Sequence, residues 1–160
     1  MVRSTVSCEV RVEAPAWRKA WPNAGREGRQ FLLQIAVRAD VQPVPAGVVA
    51  VVLTDDARVR ALNLRFRRKD RATNVLSFPD PLAPLGGMAL ALETLEKEAE
   101  DQGKVFLNHV KHMILHGFLH LLGHDHHTKA EARLMERLEI AILAEMGIPN
   151  PYVIEAQTRA

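Results

Sequence analysis

Short apolar runs alternate with polar, turn-forming stretches along the chain, and the period of each run predicts an element. Residues 6–12 alternate at period two, as an edge strand does. Pro15 and Pro22 interrupt the next segment, and beyond them Phe31, Leu32, Ile35 and Ala36 fall at helical spacing within residues 28–38. Beyond Pro43 and Pro45, residues 48–53 form an unbroken apolar run rich in β-branched side chains, which predicts a buried strand. Thr54 and Asp55 can cap a short helix carrying Val59, Leu62 and Phe66, and a basic run starts where that helix ends. Residues 74–78 read as a brief strand stopped by Pro79, and residues 79–87 as a Pro/Gly-rich loop. Residues 88–92 read as another strand, leading into an acidic helix that reaches Gln102.

The last third is helical. On a helical wheel of residues 104–122, His109, His112, His116 and His120 share one narrow stripe. Most other faces carry Phe106, Val110, Met113, Ile114, Phe118 and Leu121, so this helix is expected to be central and buried. Gly123 is suited to end it, and residues 124–127 form a turn. Thr128 with Glu131 makes a capping box for a final helix through Leu134, Leu138, Ala141 and Ile142, which stops at Gly147. Nothing repeats and no linker divides the chain, so residues 1–160 are expected to form one α+β domain.

Composition agrees with that outline and narrows the chemistry. With 160 residues, 48% hydrophobic and 25% charged, the chain is too apolar for disorder and can hide roughly two thirds of its unfolded surface. No apolar run approaches the roughly 18 residues of a membrane helix. Arg3, Glu9 and Arg11 occupy the start, where a signal peptide needs a continuous apolar stretch, so a cytoplasmic location without membrane partners is expected. Cys8 is the single thiol, which excludes an internal disulfide and dithiol redox chemistry. A net charge of +2 announces no nucleic-acid partner by itself. Its distribution says more: Arg65, Arg67, Arg68, Lys69 and Arg71 put five cations into seven residues, while carboxylates gather over residues 93–101 and 131–145.

All seven histidines lie between His109 and His127. His116 and His120 are one helical turn apart on one face, a separation that two imidazoles can close around a cation. Gly123 lets the chain reverse so that His126 supplies a third nitrogen. His-x-x-x-His-x-x-Gly-x-x-His leaves a fourth tetrahedral position free, the arrangement of a catalytic zinc, with one ion per chain expected. The bland alternative is a polar stripe facing solvent, but such stripes are normally built from Lys and Glu, and this helix is apolar nearly all round. His109 and His112 fit better as groups behind the ligands or in the cleft, and Asp125 as a neighbour of the third ligand. The roles of His124 and His127 stay open, because a fourth histidine would close the site.

The spacing equals that of the metzincin peptidases, yet Gly117 occupies the place of their general-base Glu. Either the metal alone must then acidify its water, or the proton must pass to a group such as Asp125, His124 or the substrate's own phosphate. Serine and cysteine nucleophiles find no partners in the sequence, and neither a P-loop nor a dinucleotide fingerprint is present. The basic run has a solvated reading, as complement to a helix dipole. Its functional reading sets these cations to hold a phosphate-bearing substrate beside the metal.

Two stretches carry a family resemblance. HGFLHLLGHDH, from His116 to His126, closely resembles the His-Gly-x-Leu-His-Leu-x-Gly-Tyr-Asp-His signature of the bacterial YbeY family. LNLRFRRKDRATNVLSF, from Leu62 to Phe78, resembles the same family's other signature, and Asn150-Pro151-Tyr152 also fits. The resemblance implies a zincin-like fold with a mixed four-stranded sheet packed with helices. It also implies a zinc-dependent, single-strand-specific endoribonuclease acting in 3′-end maturation of small-subunit ribosomal RNA and in ribosome quality control. Implied partners are that RNA, the small ribosomal subunit and its proteins, and an assembly GTPase. Carried over by position, the ligands are His116, His120 and His126, and the functional arginine is Arg67, which on this resemblance would clamp an RNA phosphodiester beside the metal while Arg65, Arg68, Lys69 and Arg71 hold the RNA backbone without reading bases. The chain departs from the family pattern at Phe66, Ala72, Gly87 and His124, where the family has Tyr, Pro, Asp and Tyr. Asp80 is the expected substitute for the Asp missing at Gly87. A non-catalytic, zinc-containing ribosome-assembly factor is the main alternative, and a metallopeptidase the lesser one.

Overall fold

The computed structural model describes residues 5–153. In chain order they form β1 (Val6–Val12), α1 (Trp17–Ala20), α2 (Ala24–Ala36), β2 (Gly47–Thr54), α3 (Asp56–Arg67), β3 (Val75–Asp80), β4 (Ala83–Ala91), α4 (Leu92–Asp101), α5 (Phe106–Leu121) and α6 (Lys129–Glu145). The strands make one mixed sheet in the order β1-β2-β4-β3, with β1, β2 and β4 parallel and β3 antiparallel to β4.

Alternation along β2 and β4 divides the core between the two faces of the sheet. Val49, Val51, Leu53, Met88 and Leu90 join the larger cluster with Phe31, Leu32 and Ile35 of α2 and Ile114, Leu115 and Phe118 of α5. Val52, Ala89 and Ala91 face the other way, against Val59 and Leu62 of α3. Burial on both faces explains why β2 reads as a continuous apolar run. Trp17, fully buried, donates its indole N–H to the Thr54 carbonyl at 2.7 Å and so ties α1 to the end of β2.

The stretch expected to be a loop at residues 79–87 is a β-hairpin. β3 continues through Pro79 to Asp80, and β4 begins at Ala83, with a register shift between Phe78 and Asp80. β3 lies at the sheet edge, where a proline without an N–H removes no ladder bond from a central strand. Two helical expectations also shift. α2 starts at Ala24 rather than Gly28, and α6 buries Met135, Glu139, Ile142 and Leu143 while Leu134 is 60% exposed. The final helix is rotated from its expected face because a carboxylate, Glu139, occupies the centre of its buried stripe. Among the described residues no helix is long and apolar enough to cross a membrane.

Candidate metal centre

α5 is buried along most of its length and presents its histidine stripe to two neighbours, α4 at one end and α6 further along. His116 and His120 stand one turn apart near its C-terminal end, with their Nε2 atoms 3.1 Å from one another. Gly123, at φ +99°, adopts the left-handed backbone that lets the chain turn back. The turn brings His126 within reach, its ring centroid 5.0 Å from that of His120 and 5.9 Å from that of His116. One ligand atom from each of the three lies within 4.8 Å of the others. Thr128 begins α6 as expected, its hydroxyl accepting the Glu131 N–H at 3.1 Å.

Behind the triad lies a residue that sequence reasoning missed. Glu139 is fully buried on α6. Its Oε1 accepts from His116 Nδ1 at 3.2 Å, its Oε2 accepts from His112 Nε2, and the Tyr152 hydroxyl donates to both oxygens at 3.1 Å. Burial alone would raise its pKa, but the hydrogen bonds donated by His112 and His116 outweigh this and hold it down at about 2. The signal was a charged side chain in line with Met135 and Ile142, where a helix of this pattern should be apolar. His109 sits one turn below in a parallel arrangement, with Nε2 2.9 Å from Glu98, which also accepts from Asn74 Nδ2 at 3.1 Å.

These donors suit a borderline cation. Tetrahedral nitrogens at zinc, each about 2.0–2.1 Å from the ion, stand about 3.3 Å apart, close to the His116 and His120 separation. An ionised Glu139 can only accept, so His116 carries its proton on Nδ1 and turns a lone pair outward on Nε2. Burial, then the neighbouring His116 and His126, pushes the His120 pKa down, which keeps that ring neutral for a ligand role. His112, His116 and Glu139 form a second possible set of donors, more deeply buried and sharing His116.

The triad opens onto a cleft of about 710 Å³ lined also by Arg67, Lys69, Arg71, Thr73, Ser77 and Asp125. Arg68 caps α3 in the left-handed conformation at φ 56°, and the Asn63 side chain, buried at 3% exposure, donates to the Arg71 carbonyl at 2.9 Å. These two features fold the basic run back along the cleft. Arg65 and Arg68 do not line it; Arg65 lies over the Phe66 ring, 5.0 Å from its centroid. Phe66 stacks on Phe78, with ring centroids 6.1 Å apart. Asp125 accepts the His126 backbone N–H at 2.8 Å and pairs with His127, so it shapes the turn that carries the third histidine. His124 and His127 both line the cleft.

Two expectations about departures are settled by packing. Asp80 does not stand in for an acid at Gly87, because it is paired with Arg11 at 2.9 Å and lies outside the cleft lining. Position 87 itself is covered by the Phe78 ring, whose nearest atom would be 2.7 Å from an added Cβ. Gly117, at the position of the peptidase Glu, is pressed against the sheet: a Cβ there would meet Met88 Sδ at 3.1 Å and Val75 Cγ2 at 3.3 Å. A side chain at that point would require Met88 and Val75 to give way by a few tenths of an ångström.

Comparisons with known proteins agree with the geometry. The family described as Endoribonuclease YbeY matches residues 25–147. Relatives called Endoribonuclease YbeY include one from Nitrobacter winogradskyi, 45% identical over 95% of this chain and 85% of its own. Another, from Paramagnetospirillum magneticum, is 45% identical over 92% of this chain and 96% of its own. A protein from Thermotoga maritima solved in solution shares the fold, with a TM-score of 0.54 at 23% identity, covering 87% of this chain and 91% of that one.

Proposed function

The chain belongs to the Endoribonuclease YbeY family, and from that premise we propose that it cleaves RNA with one zinc ion held by His116, His120 and His126. The observation that carries this reading is the shared cleft, which three convergent imidazoles line together with Arg67, Lys69 and Arg71. Among the lining residues those cations face one carboxylate, Asp125, so the cleft is suited to a polyanion. Its substrate is single-stranded RNA at the 3′ end of the small-subunit ribosomal RNA, encountered with the subunit, its proteins and an assembly GTPase. Arg65 and Arg68, outside the lining, take a smaller part in holding the strand.

Held by His116, His120 and His126, zinc would supply Lewis acidity towards a phosphoryl oxygen or a water. The rest falls to the chain. Arg67 offers two parallel N–H donors to the scissile phosphodiester and neutralises charge that grows as the bond breaks. Lys69 and Arg71 hold the flanking phosphates, with Asn63 fixing the loop that carries them. Asp125 and His124 line the same cleft and are the groups available to take the proton from water. Glu139 orients His116 from behind.

The test is cleavage of a short single-stranded fragment from the ribosomal RNA 3′ end by the zinc-loaded protein and by Arg67→Ala and His116→Ala. The wild type should cut, His116→Ala should not, and Arg67→Ala should cut at least about a hundredfold more slowly, while each keeps its fold. Cutting that survives both substitutions would exclude this cleft as the site.

A further inference from the structure

The end of the described chain and the histidine triad are joined by hydrogen bonds through one buried carboxylate. Three groups from two segments converge on Glu139: His112 and His116 from α5, and the Tyr152 hydroxyl from the stretch after α6. Each must be the donor, since an ionised carboxylate only accepts. Tyr152 reaches this point because the chain after α6 crosses back over the start of α5. There Lys104 Nζ donates to the Pro151 carbonyl, and the Tyr152 ring stands edge-on to His112 with centroids 5.5 Å apart. Beneath the crossing segment is a cavity of about 130 Å³, lined by Lys104, Asn108, His109, His112, Pro149 and Asn150 among others. Tyr152 is itself 43% exposed and Val153 50%. Buried Pro151 and the Lys104 bond to its carbonyl seat the middle of the segment, and beyond them the Tyr152 hydroxyl bond to Glu139 is what ties its exposed end to the metal centre.

We propose that Tyr152 is a positioning residue for the metal centre, and that seating of the segment around Asn150 to Tyr152 is coupled to metal affinity. With Tyr152 seated, Glu139 has a full set of donors and a fixed orientation, and it holds His116 in the tautomer that turns Nε2 towards His120 and His126. With the segment lifted, Glu139 loses a donor and is free to turn towards His112 alone, and His116 loses its anchor. Coupling of this kind is reciprocal: an ion that binds more tightly to the seated form also holds the segment down. The inference rests on His116, His120 and His126 being the ligands.

The experiment is competition for zinc between a chromophoric chelator and the full chain, comparing wild type with Tyr152→Phe, Glu139→Gln and His120→Ala. Amide hydrogen exchange across residues 150–153 is followed with and without zinc, and unfolding of each metal-free protein is recorded alongside. Zinc affinity should fall about three- to tenfold for Tyr152→Phe and about ten- to hundredfold for Glu139→Gln, the range seen when a group behind a ligand is removed. In the wild type zinc should slow exchange at Tyr152, and in Tyr152→Phe that protection should shrink. Should Glu139→Gln fail to fold, Tyr152→Phe removes one hydroxyl oxygen from a residue whose ring is partly exposed, and carries the test alone. A folded Tyr152→Phe that binds zinc within twofold of wild type, or wild-type exchange at residues 150–153 that ignores zinc, overturns the coupling. A purely structural role for Tyr152 would appear that way, as a lower melting temperature with unchanged affinity. Wild-type affinity in His120→Ala would instead overturn the ligand assignment, and the two failures are thereby distinguished.

Discussion

Adding a single methyl group at Gly87 should destabilise the fold, and the reason is the ring of Phe78. An ideal Cβ at position 87 would lie 2.7 Å from Phe78 Cζ, 2.9 Å from Cε2 and 3.3 Å from Cε1, so the ring has to move. Overpacking of this kind costs about 1–3 kcal/mol, and replacing a strand glycine returns about 0.5–1 kcal/mol through lost unfolded-state freedom. The net expectation for Gly87→Ala is a loss of up to about 2.5 kcal/mol. Gly87→Asp should lose more, since the displaced ring also leaves its stack on Phe66, a contact of about 0.5–1.5 kcal/mol. Urea denaturation of Gly87→Ala, Phe78→Leu and the double variant closes a cycle. With the ring removed the methyl group should be tolerated, giving a coupling of about 1 kcal/mol between the two positions. Additive single effects, or a Gly87→Ala protein more stable than wild type, would refute the steric reasoning. The same geometry bears on function. Restoring the family's Asp at this place would require Phe78 to leave its present position, so recovery or gain of activity cannot be expected from that substitution alone.

The site itself sets further expectations. Arg67→Ala should lower RNA cleavage by about a hundredfold or more, while Arg65→Ala, outside the cleft, should stay within about threefold in the same assay; equal losses would mean that the basic run acts only through its total charge. Asn63→Ala should cost about 1–3 kcal/mol in urea denaturation and weaken RNA binding, because the buried amide that holds the Arg71 carbonyl is gone; unchanged binding would detach the loop geometry from recognition. Metal-free protein should lose stability as pH falls below about 6.5. Burial, opposed by Glu139 in one case, holds His112 and His120 below their ordinary value, so these rings take up protons on unfolding, with a slope of at most about 1.4 kcal/mol per pH unit for each. A denaturation midpoint that is level between about pH 7.5 and about pH 5.5 would contradict this.

Much of the arrangement was legible in the sequence because it is local. His116 and His120 share a helix face by spacing, Gly123 permits the reversal, and His126 lies three residues beyond it, so the fold needs no distant partner to assemble the triad. The sheet order needed more than pattern, since β2 and β4 become neighbours across α3 and β3. Pro79 and Pro84 looked like breakers, and only the edge position of β3 shows why a strand can pass through the first of them. Glu139 was hidden for a different reason. It lies 13 residues beyond His126 on a helix whose apolar stripe could be drawn through Leu134 and Leu138, and only the packing of α6 on α5 reveals that the buried face is the one carrying the carboxylate. The basic run illustrates the same limit: its charge was plain, but which cations reach the cleft depends on the left-handed turn at Arg68.

The most direct test of the account is a titration of zinc into metal-free protein, following bound metal and cleavage of the single-stranded RNA fragment together. Activity should rise with zinc and level off at one ion per chain, with His120→Ala and His126→Ala binding weakly and cutting nothing while their folds persist. Cleavage that is full before zinc is added, or a protein that fills with zinc at the triad and leaves the RNA intact, would contradict it, the second result favouring an assembly factor whose metal serves structure.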